Sequence, residues 1–103
     1  MNKLNRSNKA HERLSDHYNN VANKNRVETP KNFWALVKRD YHDEVNRTQK
    51  RTGKILDKTA KKHIYNQCAY SLADYRDEVN LNYGYSRYIP KKYQNLLKEK
   101  YKR

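Results

Sequence analysis

Apolar residues recur at helical spacing in several stretches of the chain. In the first stretch, Leu14, Tyr18 and Val21 stand at i, i+4 and i+7, which predicts a short helix starting near Ser7, a residue type favoured as an N-cap. Few other apolar residues occur before the next stretch. We therefore predict that residues 1–28 form a polar, basic arm with one short helix.

A boundary follows at Thr29-Pro30, because Thr caps helices and Pro is favoured in the first helical turn. The helix that begins there has five residues on its predicted inward face: Trp34, Val37, Tyr41, Val45 and Thr48. It should run to at least Thr52. Gly53 is its predicted end or a kink, since Gly costs about 1 kcal/mol relative to Ala in a helix interior.

A third helix is predicted from about Lys54 to Asn80, where several helix breakers follow. Its predicted buried stripe consists of Leu56, Ala60, Ile64, Cys68, Leu72, Tyr75 and Val79. The alternation of Tyr83, Tyr85 and Tyr88 is typical of a short extended segment. Pro90 then opens a last helix, whose predicted inward residues are Tyr93, Leu96, Leu97 and Tyr101.

This pattern predicts an all-α fold, a small bundle of three or four helices with basic N- and C-terminal extensions. Residues 29–103 would be the helical domain, ending in a basic tail. With two Gly and two Pro, the chain has little turn chemistry for a sheet-rich fold. Ten Tyr against one Phe and one Trp make the core amphipathic, and such a small core should be more stable inside a complex.

The chain carries a large surplus of positive charge, with 24 Lys and Arg against 11 Asp and Glu and a formal net charge of +13. Such a surplus favours an anionic partner, with nucleic acid first and anionic membrane or an acidic protein next. Cys68 is the single cysteine, so we expect a reducing compartment, cytoplasmic or nucleoid-associated. No apolar run approaches the roughly 20 residues of a membrane-spanning helix.

A basic run with a single acid, Asp57, follows Val45. Its seven members are Arg47, Lys50, Arg51, Lys54, Lys58, Lys61 and Lys62. They fall within an arc of roughly 120° if one helix passes through Gly53, and they form a weaker pattern if the chain turns there. Such a stripe can contact backbone phosphates without reading sequence. The alternative interpretation is an ordinary solvated helix face.

A second basic group lies in the C-terminal quarter of the chain. Its candidates for nucleic-acid contact are Arg87, Lys91, Lys92 and Lys98. Tyr83 and Tyr85 are candidates for stacking on the bases of single strands or RNA, whereas core packing better explains Tyr93 and Tyr101. The chain carries no named nucleic-acid-binding signature, so DNA and RNA both remain open as partners.

One heptapeptide occurs twice, as DYHDEVN at 40–46 and DYRDEVN at 74–80. The acids of these two copies are Asp40, Asp43, Glu44, Asp74, Asp77 and Glu78. On two antiparallel helices they could form a cage for Mg²⁺ or Mn²⁺. Paired acidic helix motifs resemble those of all-α nucleotide pyrophosphohydrolases of the MazG type, which would imply metal-assisted phosphate hydrolysis. This chain has Asp where those enzymes favour Glu, and no site residue is carried over.

We favour a structural or partner-docking role for these acids. Tyr41 and Val45 are predicted to face the core, which leaves the acids of the first copy on the flanks of the helix. Arg39 and Arg47 lie four residues on either side of Asp43, the spacing of ordinary ion pairs on a helix. Two identical acidic faces could also pair with basic patches of another copy and drive self-association.

The motifs of several enzyme classes are missing, since the sequence contains no HExxH, no P-loop and no GxSxG. We therefore expect no catalysis, no cofactor and no metal. The leading hypothesis is a non-catalytic nucleic-acid-binding accessory protein of low sequence specificity, in a larger nucleoprotein complex or as a phage or mobile-element factor. The alternative is a regulator or inhibitor that docks on a larger nucleic-acid enzyme through its acidic and tyrosine surface.

Overall fold

Four α-helices form the regular structure of residues 2–103, the part of the chain that the computed structural model describes. They are α1 (Lys3–Asn23), α2 (Pro30–Thr52), α3 (Lys58–Tyr83) and α4 (Lys91–Lys100). No β-strand occurs among these residues, and the predicted all-α fold, a small helical bundle, is confirmed. None of the four helices combines the length and the apolar character that crossing a membrane requires.

Helix α2 begins and ends at the residues that the sequence predicted. Thr29 Oγ1 accepts a hydrogen bond from the backbone N–H of Asn32 at 3.2 Å, and Pro30 occupies the first turn. Gly53 ends the helix with a φ of +72°, and its N–H donates to the carbonyl of Gln49 at 2.8 Å. The chain therefore turns at Gly53 and does not merely kink, because Gly reaches the left-handed region without a steric penalty.

The first helix starts earlier than its apolar pattern predicted. Asn2 caps α1, and its side chain accepts a hydrogen bond from the N–H of Asn5 at 2.8 Å. The helix therefore begins at Lys3 and not near Ser7. An N-cap amide satisfies an otherwise free N–H of the first turn, which is why the helix extends into a stretch with almost no apolar residues.

The third helix starts later than predicted. Asp57 accepts a hydrogen bond from the N–H of Ala60 at 2.8 Å and caps α3. The helix consequently begins at Lys58 and not near Lys54. It also extends beyond its predicted end, to Tyr83, and is ended by Gly84, whose φ of +70° is again left-handed. The caps, more than the apolar pattern, determine where this helix begins and ends.

Polar side chains fill much of the interface between α1 and α2, which run antiparallel. Gln49, near the end of α2, donates to the side-chain oxygen of Asn8, near the start of α1, at 3.0 Å. Ser15 donates to Asp43 at 2.5 Å. Asn8 and Ser15 are buried, whereas Leu14, one of the three apolar residues from which this helix was predicted, is 38% exposed. The apolar spacing does not mark the buried face of α1, because the buried groups there include polar residues that satisfy one another.

The apolar core lies where α2, α3 and α4 meet. Its buried members are Phe33, Val37, Ala69, Ala73, Ile89, Tyr93 and Leu97. On α3 the buried residues are the two alanines and not the predicted stripe. Cys68 and Leu72 of that stripe are only partly buried, and Tyr75 is 61% exposed. Small side chains at a helix contact let the two helices approach closely, and the larger residues beside the alanines then lie at the edge of the interface.

The C-terminal quarter matches its predicted pattern in part. Between α3 and α4 the chain forms no strand, although the N–H of Tyr88 donates at 2.9 Å to a carbonyl of the α1–α2 loop. Tyr93 and Leu97 of α4 are buried as predicted. Leu96 and Tyr101 are exposed and therefore do not belong to the core.

Arg76 joins three parts of the fold although it is only 2% exposed. Its guanidinium donates to the side-chain oxygen of Asn32 on α2, to the carbonyl of Val27 before α2, and to the carbonyl of Tyr88 after α3. It lies 5.5 Å from the ring centre of Phe33. Burial lowers the pKa of this guanidinium, and no carboxylate among residues 2–103 pairs with it.

Candidate nucleic-acid interface

The α2–α3 turn carries the predicted basic run. Its members lie on the last turns of α2, in the loop and on the first turns of α3, and are Arg47, Lys50, Arg51, Lys54, Lys58, Lys61 and Lys62. Because the chain turns at Gly53, they do not form one stripe along a continuous helix. They are gathered at the closed end of the hairpin that α2 and α3 form.

Two of these seven cations are paired with carboxylates, and five are not. Lys50 lies 2.8 Å from Glu12, and Arg47 lies 3.5 Å from Glu44. The other five, which we call the basic turn, take part in no ion pair within residues 2–103: Arg51, Lys54, Lys58, Lys61 and Lys62. The one acid of the run, Asp57, caps α3, whose N-terminal end is itself positive.

An open cleft of about 630 Å³ adjoins the basic turn. It is lined by Tyr41, Lys58, Thr59, Lys61, Lys62 and Tyr65. The two tyrosine rings meet edge to face with centroids 5.5 Å apart, and Trp34 lies parallel to Tyr65 at 6.4 Å. Partial burial raises the pKa of both tyrosine hydroxyls, so both remain neutral at physiological pH. We call this site the tyrosine cleft.

The hydrophobic pattern did not predict the tyrosine cleft. It assigned Tyr41 to the core, and Tyr65 lay outside the predicted stripe of α3. A usable signal was nevertheless present, because Lys58, Lys61 and Tyr65 stand at i, i+3 and i+7. That spacing gives one face of a helix, and it combines lysines with an aromatic ring.

The second predicted basic group lies far from the basic turn. Tyr83 ends α3, so at 1.5 Å per residue it is about 38 Å from Lys58 along the helix axis. Tyr83 and Tyr85 are 71% and 57% exposed, and the guanidinium of Arg87 lies 4.7 Å from the ring centre of Tyr85. The remaining predicted members are exposed on α4: Lys91, Lys92 and Lys98. The predicted nucleic-acid contacts thus form two separate groups.

The acids of the repeated heptapeptide do not converge. In the first copy, Asp43 accepts a hydrogen bond from a serine of α1. In the second copy, Asp77 pairs with Arg103, and Asp74 accepts a hydrogen bond from the hydroxyl of Tyr101 at 2.8 Å. Within residues 2–103, no three His, Cys, Asp or Glu side chains are grouped as metal ligands.

A groove of about 670 Å³ lies between α2 and α3. Its apolar residues belong to the α3 stripe that was predicted to be core: Ile64, Cys68, Leu72 and Tyr75. Asp40 and Glu44 of the first heptapeptide line the α2 side. Burial and these two carboxylates raise the pKa of the Cys68 thiol to about 11, which leaves it protonated at neutral pH. We call this site the α2–α3 groove.

His42 and Arg76 occupy the one position at which the two heptapeptides differ. The Nδ1 atom of His42 lies 2.8 Å from that of His11, and the ring of Tyr18 stacks on His42 with centroids 5.8 Å apart. Burial, together with the neighbouring His11, lowers the pKa of His42 to about 4. His42 is therefore neutral at pH 7, and a hydrogen bond between the two Nδ1 atoms requires that one of them carries a proton and the other does not.

Comparisons with protein-family models, with curated proteins and with solved structures found no match for this chain. Membership in the pyrophosphohydrolase family that the paired acidic motifs resemble is therefore not shown.

Proposed function

We propose that this protein is a non-catalytic nucleic-acid-binding accessory protein of low sequence specificity. The observation that carries the proposal is the basic turn, where five cations lie close together along the chain without a carboxylate partner. Such a concentration of charge is unfavourable in the isolated protein and is relieved by an anionic partner. Nucleic acid provides that partner, since each phosphate contact also releases condensed counterions.

Low sequence specificity follows from the chemistry of the cations. Four of the five residues of the basic turn are lysines, which act as mobile point charges and lack the planar fork with which Arg reads guanine. Contacts of this kind fix the position of a protein on the phosphate backbone and carry no information about base sequence. The lone cysteine is compatible with a reducing compartment, cytoplasmic or nucleoid-associated.

The salt dependence of binding tests this proposal. A variant with Lys54, Lys58, Lys61 and Lys62 changed to Gln should bind duplex DNA more weakly, whatever its sequence. The slope of log affinity against log salt should fall by roughly 0.9 for each phosphate that the variant no longer neutralises. The control changes Lys24 and Lys31, two exposed lysines at the other end of the α1–α2 pair, to Gln, and the change in slope is compared per lysine removed. An unchanged slope in the first variant, or an equal change in both, would exclude the basic turn from the interface.

A regulator that docks on a larger nucleic-acid enzyme is the second candidate function, and the α2–α3 groove favours it. The groove places apolar side chains beside two ion pairs, Asp40 with Arg39 and Glu44 with Arg47. A surface that combines apolar groups with both signs of charge fits an amphipathic helix of a protein partner. Changing Tyr75, which is 61% exposed, to Ser should then weaken docking. Because this change adds no charge and Tyr75 lies outside the basic turn, the same variant should keep its affinity for nucleic acid.

A further inference from the structure

We propose that the tyrosine cleft binds an unpaired base, which makes single-stranded nucleic acid the preferred ligand of this protein. The inference rests on the proposed function and adds the class of nucleic acid to it. Tyr41 and Tyr65 line the same cleft as three lysines of the basic turn.

The cleft brings together the two kinds of group that a single nucleotide needs. Aromatic side chains stack on the base, and cations contact the phosphate that is joined to it. Lys58, Lys61 and Lys62 line the cleft together with both tyrosines, and none of the three lysines has a carboxylate partner within residues 2–103. The volume of about 630 Å³ lies in the range of small-ligand sites.

The aromatic rings are held in place before any ligand arrives. Trp34 lies parallel to Tyr65 at an interplanar angle of 3°, and Tyr41 meets Tyr65 at 72°. Rings that are already packed lose little conformational entropy on binding. Stacking on them should therefore increase affinity for any base whose face is accessible.

A duplex cannot use this cleft. Its bases are paired and stacked on one another, so it presents only phosphates and groove edges to a protein. The lysines of the basic turn would bind either form, whereas the tyrosines would add affinity only for unpaired bases. The tyrosine cleft thus turns a general affinity for phosphate into a preference for single strands.

Tyr83 and Tyr85 are the competing site for base stacking. Their rings are exposed, and their centroids lie 6.3 Å apart. However, Arg87 stacks on Tyr85 within the chain itself, and the pair lies at the opposite end of α3 from the basic turn. Tyr83 therefore supplies a matched control, because it is an exposed tyrosine outside the tyrosine cleft.

The test compares three ligands of equal length: a single-stranded thymidine oligonucleotide, the same strand with abasic sites, and a duplex. We expect the unmodified protein to bind the intact strand about 5- to 150-fold more tightly than the abasic strand. Tyr65→Leu should remove this difference and leave affinity for the abasic strand unchanged. Tyr83→Leu should keep the difference. Trp34, the only tryptophan, stacks on Tyr65 and should change its fluorescence when the intact strand binds.

The possible outcomes separate this inference from the proposed function. If the unmodified protein binds intact and abasic strands equally and the salt slope still depends on the basic turn, the inference is wrong and phosphate binding stands. If the slope does not depend on the basic turn, both are wrong. If Tyr65→Leu loses helix content by circular dichroism, Tyr41→Leu takes its place. A preference for intact strands that survives both cleft variants, or that Tyr83→Leu removes, would also overturn the inference.

Discussion

Arg76 of α3 donates a hydrogen bond of 2.5 Å to the side-chain oxygen of Asn32 on α2. The same guanidinium also donates to one carbonyl of the loop before α2 and to one carbonyl of the loop before α4. One buried charge therefore connects most of the fold. His42, at the equivalent position of the other heptapeptide, pairs with His11 instead. The single difference between the two copies thus corresponds to two different tertiary contacts.

We expect Arg76→Met to lower the free energy of unfolding by about 3 kcal/mol. Methionine fills a similar volume but leaves buried carbonyl and amide oxygens without a donor, which costs roughly 1–3 kcal/mol for each group that water cannot reach. Urea denaturation followed by circular dichroism measures the change. Arg47→Met is the control, because Arg47 is exposed and its removal should change stability by no more than about 0.5 kcal/mol. Equal stability of the two variants would show that Arg76 does not connect the fold.

The pairing of His42 with His11 predicts a loss of stability in mild acid. Burial, together with the nearby His11, Lys38 and Lys61, lowers the pKa of His42 to about 4. Asp43 has the opposite, smaller effect on this pKa. A pKa that is lower in the folded protein than in the unfolded chain, where it is about 6.5, means that protons bind preferentially to the unfolded chain. Stability is therefore full above about pH 6.5 and falls as the pH decreases toward 4.

Between pH 7 and pH 5 we expect the free energy of unfolding to decrease by roughly 1–2 kcal/mol, after allowance for the partial solvent exposure of the pair. Urea titrations at both values measure it. His42→Gln should show a smaller decrease in the free energy of unfolding. The variant lacks the imidazole that takes up a proton, and the carboxylates of the protein stay mostly ionised over this range. A variant with the same pH dependence as the unmodified protein would exclude His42 as the cause.

Divalent cations should not stabilise the protein. Asp43 accepts a hydrogen bond from α1 and Asp77 pairs with Arg103, so the two copies of the heptapeptide point their acids at different partners. Adding Mg²⁺ or Mn²⁺ should leave the Tm unchanged in a thermal melt. A ligand that binds only the folded state would raise the Tm. A rise of several degrees, abolished when Asp43 and Asp77 are both changed to Asn, would restore the metal-site interpretation.

The ends of α2 could be predicted from sequence because they depend on local chemistry. Thr29 caps the helix and Gly53 ends it through properties that these residue types have in any protein. The faces of α1 and α3 depend on which neighbour packs against them, and the apolar pattern misassigned both. Ser15 and Ala73 are buried while Leu14 and Tyr75 are exposed, because polar pairing and close approach of helices decided burial there.

The candidate site could be predicted only in part, because it depends on tertiary contacts as well as on local sequence. The sequence shows where the cations of the basic turn lie along the chain, but not that Glu12 of α1 would neutralise Lys50. The tyrosine cleft depends on Tyr41 of α2 meeting Tyr65 of α3. That arrangement follows from the turn at Gly53 and from the register of two helices, which the apolar pattern alone does not determine.

Reversing the acids of the second heptapeptide distinguishes a nucleic-acid binder from a docking regulator. The variant Asp74→Lys, Asp77→Lys, Glu78→Lys replaces three negative charges with three positive ones. It also removes the interactions of this copy with Lys100, Tyr101 and Arg103. We expect each lost interaction to lower the free energy of unfolding by no more than about 1 kcal/mol, and circular dichroism should show the same helix content.

Carboxylates repel phosphate, so the reversed variant should bind nucleic acid as tightly as the unmodified protein or more tightly, with the larger gain at low salt. Fluorescence anisotropy at two salt concentrations measures this, and the neutral variant Asp74→Asn, Asp77→Asn, Glu78→Gln separates removal of negative charge from addition of positive charge. A regulator that docks through these acids on a basic protein surface would instead lose several kcal/mol of docking free energy if the charges are buried there. A reversed variant that keeps its helix content and its nucleic-acid affinity, yet no longer retains the protein partner of the unmodified chain, would favour the regulator over the accessory protein.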